Sequence, residues 1–339
     1  MTSPPAPDAG LPEPSPPSPG LTRREALGRV ARCGLALAGV GGAAFLLHDR
    51  RPAAAIGADA PRRRDLRTPE APRDGELLFA RSPNGPAGGP ELIRKLLDAF
   101  GGMGRFVRRG ERVVIKPNVG WDRNEQQAAN TNPALIAALV HLCREAGAAE
   151  VIVTDVSCND ARRSFTRSGV GLAAQQAGAQ VILPLEQDFV TVPMGGLLLQ
   201  RWPVLKPLLE ADRVISVPIV KHHNLTGMTG ALKNLYGIIG GRRNLLHQQI
   251  DQSLLDLGHF LRPSLVVVDA LRVLLRNGPQ GGSFQDVQEV GQVAVTVDPV
   301  AADAWAAPFL GLKAKDLNFL RLAHGVLGSH ELLQVREVG

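Results

Sequence analysis

The chain has 339 residues, 38 basic against 32 acidic groups for a formal charge of +6, 44% hydrophobic residues and three cysteines. That length suits one large α/β domain or two intimate lobes, and the modest charge, with no basic run matched to a polyanion, excludes a nucleic-acid partner. Three cysteines supply neither a Cys-x-x-Cys pair nor the four thiolates of a typical iron–sulfur site, so no iron–sulfur cluster is expected from this chain alone.

Residues 1–20 hold eight of the 26 prolines and no basic residue, a leader unable to bury a core. Thr22-Arg23-Arg24-Glu25-Ala26-Leu27 follows, then an uncharged run from Cys33 to Leu47, then Ala53-Ala54-Ala55. That order has the form of a twin-arginine export signal, with Arg23 and Arg24 as its signal residues. Residues 1–55 therefore read as a signal region with a Pro-rich leader, 56–75 as a flexible Arg/Pro/Ala linker, and 76–335 as the folded domain. The apolar run spans about 22 Å as a helix, short of a hydrocarbon core of roughly 30 Å, which favours cleavage over anchoring. An uncleaved, membrane-anchored form is the alternative. Cleavage after Ala55 removes six arginines and four acids and leaves +4. The expected location is periplasmic or extracytoplasmic, with the twin-arginine machinery as partner and transient membrane contact through the signal. Such substrates fold before export, often with a cofactor or companion, so a redox protein is a candidate partner.

In the domain, Arg112–Asn118 reads as a strand running into a loop. Asn132–Ala146 reads as a helix started by Asn132-Pro133 and stopped at Gly147. Glu150–Asp155, Gln180–Pro184, Arg213–Val220, Leu265–Asp269 and Gln292–Asp298 are short apolar strands. Strands without polar alternation, interleaved with helical stretches, indicate an α/β fold with a mostly parallel central sheet covered by helices on both faces. Cys143 and Cys158 are either a disulfide permitted by an oxidising compartment or two thiols packed in or near the core.

Ligands of such sheets sit beyond the carboxyl ends of the strands. Several predicted strands end on chemistry-bearing groups: Lys116 with Asn118, Asp155, Lys221 with His222 and His223, Asp269, and Asp298. Only seven of the 38 basic residues are lysines, so Lys116, Lys221 and Lys233 beside Asn, His and Gly suggest a need for compact, tunable ammonium groups. Lys221, His223 and Lys233 are the candidate catalytic residues, His223 as proton carrier. Lys116, Asn118, Thr226, Gly227, Thr229, Gly230, Asn234 and His247 are the candidate ligand-binding set, the two glycines letting backbone N–H groups approach an anion. Asp155 and Asp269, with His223 and His247, form a candidate site for a divalent metal. No Gly-x-Ser-x-Gly elbow or G-x-G-x-x-G fingerprint supports hydrolase or dinucleotide chemistry.

The ordered motifs Val114-Ile-Lys-Pro-Asn118, Thr131-Asn-Pro133, Glu145–Asp155, Lys221-His-His223, Leu225–Gly237, His247, Leu265–Asp269, Asn277–Gly281 and Asp298–Asp303 resemble the family called domain of unknown function 362. The resemblance runs from about Val113 to Leu310. It implies the fold and the place of the site but no reaction, because the family name denotes an unassigned activity. Two departures stand out. The ferredoxin-like cysteine module that many members carry is missing. Asp269-Ala270 and Leu274-Leu275-Arg276 stand where the family tends to have Asp-Gly and an acid before the Asn-Gly-Pro turn. The expected function is an enzyme or cofactor-handling protein that binds an anionic ligand at the strand ends, with a non-catalytic accessory or maturation partner of an exported redox protein as the alternative.

Overall fold

A computed structural model describes residues 63–331 and 334–339; the signal region with Arg23 and Arg24 lies outside the described residues. Its strands, in chain order, are β1 (Arg64–Asp65), β2 (Glu76–Arg81), β3 (Arg112–Pro117), β4 (Glu150–Thr154), β5 (Gln180–Ile182), β6 (Phe189–Pro193) and β7 (Arg201–Leu205). There follow β8 (Arg213–Val217), β9 (Ile219–His223), β10 (Gly227–Thr229), β11 (Leu261–Arg262), β12 (Leu265–Leu274), β13 (Val287–Thr296) and β14 (Gln334–Glu337). The main sheet runs β14-β2-β13-β12-β8-β3-β4-β5, with β9 pairing β12 and β10 added antiparallel to β9.

Neighbours from β12 through β8, β3 and β4 to β5 are all parallel. β13 opposes both of its neighbours, so the sheet is mixed but mostly parallel. The apolar strands are continuous because both faces are covered. Val114, Ile152, Val214 and Val266 point into one core and Val113, Ile115, Val151, Val153 and Ile215 into the other, a split dictated by the two-residue period of a strand. The helices Gly89–Ala99 and Pro133–Glu145 fill the second core; Ile250–Phe260, Pro299–Ala306 and Asn318–Ala323 fill the first.

Pro218 divides what the sequence presents as one strand. Without an N–H it cannot continue the ladder; its carbonyl accepts from the Asp269 N–H at 2.9 Å, and the chain resumes as β9 alongside the far half of β12. Lys221 is thereby carried past the end of β8 toward the loop that follows β3. Thr131 ties these ends together. Its Oγ1 accepts from the Asn118 N–H at 2.8 Å and donates to the Val217 carbonyl at 2.7 Å. Asn132 caps its helix by accepting from the Ala134 N–H at 2.8 Å.

Residues 63–75 differ from the expected linker. β1 pairs with β11, the Arg64 guanidinium donates to the carbonyls of Leu208 and Ala211, and Leu66 N–H donates to Arg262 O. An Arg/Pro composition looks solvated in sequence, but arginines that reach buried carbonyls fasten a segment instead. Cys143 is buried and Cys158 exposed, both as free thiols. Among the described residues no helix is long and apolar enough to cross a membrane.

Candidate functional site

At the carboxyl ends of β3, β4 and β9 lies a cavity of about 560 Å³. Lys116, Asn118, Asp155, Lys221, His223, Thr229, Lys233, Asn234 and His247 all line it, so three of the five expected strand ends meet there, and those at Asp269 and Asp298 do not. All three lysines singled out in the sequence are buried here, whereas Lys95, Lys206, Lys313 and Lys315 are exposed.

The floor is a closed network. Lys116 Nζ lies 2.7 Å from Asp155 Oδ1 and donates to the Pro117 carbonyl and to Asn234 Oδ1, both at 2.9 Å. Asn234 also accepts from Asn118 Nδ2 at 3.2 Å and donates to Ser216 Oγ at 3.0 Å. Asp155 Oδ2 accepts the Val119 N–H at 2.7 Å. Burial pulls the Lys116 ammonium down, opposed by the Asp155 charge. With two hydrogen bonds and the Asp155 ion pair committed, Lys116 is a structural member of the floor, and Asn234 is the hub that holds it. Gly237 lies directly over this pair: a Cβ there would collide with Asp155 Oδ1 and come within 2.6 Å of Lys116 Nζ.

The walls carry the uncompensated charge. Lys221 Nζ donates to Asn118 Oδ1 at 2.8 Å and to the Ala129 carbonyl, leaving one donor position; burial pushes its pKa down to about 7. Lys233 Nζ has neither a hydrogen-bond nor a carboxylate partner among the described residues. It sits 3.8 Å from the centroid of the Tyr236 ring, and burial pushes its pKa down to about 8. Arg243 reaches the cavity from the segment after Gly241, its guanidinium donating to the carbonyls of Tyr236 at 3.1 Å and Ser157 at 2.6 Å. The one acid in the lining among the described residues, Asp155, is neutralised by Lys116. Thr229 Oγ1 is buried without a partner among the described residues.

The two histidines are held as complementary tautomers. His223 Nδ1 accepts the N–H groups of Leu225 at 3.2 Å and Thr226 at 3.4 Å, so its proton is on Nε2. His247 Nδ1 lies 3.1 Å from the Asn244 carbonyl and must donate to it, which leaves Nε2 as an acceptor. The rings are nearly parallel, 6.5 Å apart between centroids. Burial first, then the charges of Lys233 and Lys221, pushes the pKa of His223 down to about 3. That direction runs against the expectation of a proton carrier near neutral pH, and with Nδ1 accepting, His223 presents its Nε2–H as a donor. The pKa of His247 is also lowered, mainly by burial.

Other expectations fail on geometry. Thr226 donates to the Met228 carbonyl at 2.8 Å and does not line the cavity; Gly227 faces Leu317 and Leu312. Gly230 is required by Asp303, whose carboxylate would collide with a Cβ there and already accepts the N–H groups of Ala231 and Leu232. The anion at that helix start is the protein's own. The metal reading fails too. Asp269 accepts the N–H groups of Asn132 at 2.7 Å and Leu271 at 3.0 Å, outside the cavity lining. Among the described residues no group of three or more His, Cys, Asp or Glu side chains could hold a metal ion. Asp298 likewise binds backbone, accepting from Val300, Ala301, Gly75 and Ser329.

The family model described as domain of unknown function (DUF362) matches residues 113–308. The chain belongs to the DUF362 family. A similar curated protein is the thylakoid-associated protein sll1697 of Synechocystis sp. (strain ATCC 27184 / PCC 6803 / Kazusa), 28% identical over 224 residues, which are 62% of this chain and 66% of that relative. Among solved structures, the lactate racemase apoprotein of Thermoanaerobacterium thermosaccharolyticum aligns with a TM-score of 0.42 at 14% identity, over 69% of this chain and 56% of that one. A Thermotoga maritima protein aligns with a TM-score of 0.38 at 14% identity, over 67% and 58%. This DUF362 chain thus spans just under two thirds of the curated relative and less of the solved structures. Every residue lining the cavity, from Lys116 to Pro279, falls inside the DUF362 match.

Members of this DUF362 site not singled out in the sequence as site residues include Trp121, Cys158, Tyr236 and Arg243. Arg243 was hidden by the abundance of arginine in the chain, and Cys158 by the core habit of free thiols. Tyr236 is the sole tyrosine of the chain, and that rarity was the available signal.

Proposed function

We propose that this protein binds a small anionic ligand in the strand-end cavity, as an enzyme or cofactor-handling protein. The observation that carries this reading is the charge imbalance of the walls: Lys221, Lys233 and Arg243 face the cavity, and its one acid among the described residues is spent on Lys116. Burying cations without counter-ions costs several kcal/mol each, and a bound anion offsets that cost. The donor His223, the acceptor His247 and the orphan hydroxyl of Thr229 supply directional contacts for the uncharged polar parts of such a ligand. The Trp121 and Tyr236 rings give it apolar surface.

Titration calorimetry of the purified protein with oxalate and with inorganic phosphate tests the reading. Saturable binding of either, lost in Arg243→Glu, is the expected result. Absence of binding to both at millimolar concentration, with the protein folded, overturns it. Export by the twin-arginine pathway belongs to the same proposal, since a site loaded with its ligand is best filled before the folded chain leaves the cytoplasm.

A further inference from the structure

The three cavity lysines are chemically different. Lys116 is committed to two hydrogen bonds and the Asp155 ion pair, and Lys221 is tied to Asn118 and Ala129. Lys233 is 8% exposed, has no acceptor among the described residues, and sits over the face of Tyr236. An amine that must give up a proton and aim its lone pair at carbon cannot be anchored by acceptors that need its hydrogens. Of the three, Lys233 alone meets this condition. A π face attracts the ammonium without fixing the direction of any N–H.

We propose that Lys233 captures a carbonyl, its Nζ condensing with the keto or aldehyde carbon of a small 2-oxo acid whose carboxylate is held by Lys221 and Arg243. The inference rests on the anion-binding reading and names the ligand class. In the step, the neutral amine adds to the carbonyl carbon, a C–N bond forms and the C=O π pair moves to oxygen. That oxygen takes one proton from the nitrogen and one from solvent and leaves as water, giving an iminium with no change of oxidation state. Lysines made nucleophilic by desolvation and by a neighbouring cation form such Schiff bases. Burial and the Arg243 charge act in that direction on Lys233, opposed by Cys158, and its pKa of about 8 leaves about a tenth of it neutral at pH 7. Tyr236, which lies beneath the amine, also packs against His247 with ring centroids 5.4 Å apart, and both rings line the cavity into which the amine faces.

The full chain is incubated with glyoxylate and sodium cyanoborohydride, and its peptides are mapped by mass; oxalate binding is measured in parallel by calorimetry. The expected result is carboxymethylation of Lys233 in preference to the exposed Lys95, Lys206, Lys313 and Lys315 by about tenfold or more, since the reactive fraction grows about tenfold per unit of lowered pKa. Oxalate should suppress that labelling. Lys233→Arg should lose the adduct and keep oxalate binding; if that variant does not fold, suppression by oxalate in the native protein decides alone. Oxalate binding without preferential labelling of Lys233 overturns the carbonyl inference and leaves the anion site standing. Failure of both overturns the two together.

Discussion

Anion binding here should be strongly pH-dependent, because the lysines that attract the ligand are only partly charged near neutrality. A neutral Lys221 has two N–H donors, and both are taken by Asn118 Oδ1 and the Ala129 carbonyl; only the ammonium has a third to offer the cavity. Its pKa of about 7, and the value of about 8 for Lys233, mean that an incoming anion must draw protons onto both. Binding raises the two pKa values, so protons are taken up and affinity falls as pH rises. Between about pH 6 and about pH 9 the doubly protonated fraction drops about a thousandfold, equivalent to about 4 kcal/mol. Calorimetry with oxalate in buffers of different ionisation enthalpy gives both affinity and proton count. An affinity that is flat over this range, or binding with proton release, would refute the reasoning.

The same burial sets a stability profile. Because the folded pKa of Lys221 lies below its ordinary 10.5, its contribution to stability is present above that value and is lost as pH falls toward about 7. The slope should reach about 1.4 kcal/mol per pH unit in urea unfolding, and Lys221→Met should flatten it. Gly237→Ala should separate the buried Lys116–Asp155 pair and cost about 3–5 kcal/mol, read as a lower unfolding midpoint. An unchanged midpoint would show that the floor can yield. Asn234→Leu leaves Lys116 and Asn118 short of an acceptor and should cost about 1–3 kcal/mol in the same assay. Arg23→Lys combined with Arg24→Lys should stop export, and undiminished periplasmic accumulation of the variant would reject the signal assignment.

The parallel part of the fold was legible because its strands are short, apolar on both faces and separated by capped helices. Arg112–Pro117, Pro133–Glu145 and Glu150–Thr154 lie where periodicity and the Asn132-Pro133 start put them. The antiparallel β13 was not legible as such, since a doubly covered strand reads alike in either direction. Nor was the break at Pro218, although an isolated proline within an apolar run is the usual mark of one. In the site, residue type located the lysines but not their states. Thr226, Gly227 and Gly230 belong to the same polar run as Thr229 and Lys233, and only the third dimension shows that Asp303 claims the helix start. The hydrogen bonds at His223 Nδ1, which fix its tautomer, come from the backbone of its own loop and have no signature in residue type.

The division between floor and walls has a consequence for substitution. Lys116, Asp155, Asn234 and Gly237 constrain one another so tightly that replacing any one alone strands a charge or a donor in the interior. Trp121, Cys158 and Arg243 stand on segments outside the strands and share no side-chain hydrogen bond with that network. Substitution along the rim can therefore change what the cavity contacts while leaving the foundation beneath it undisturbed.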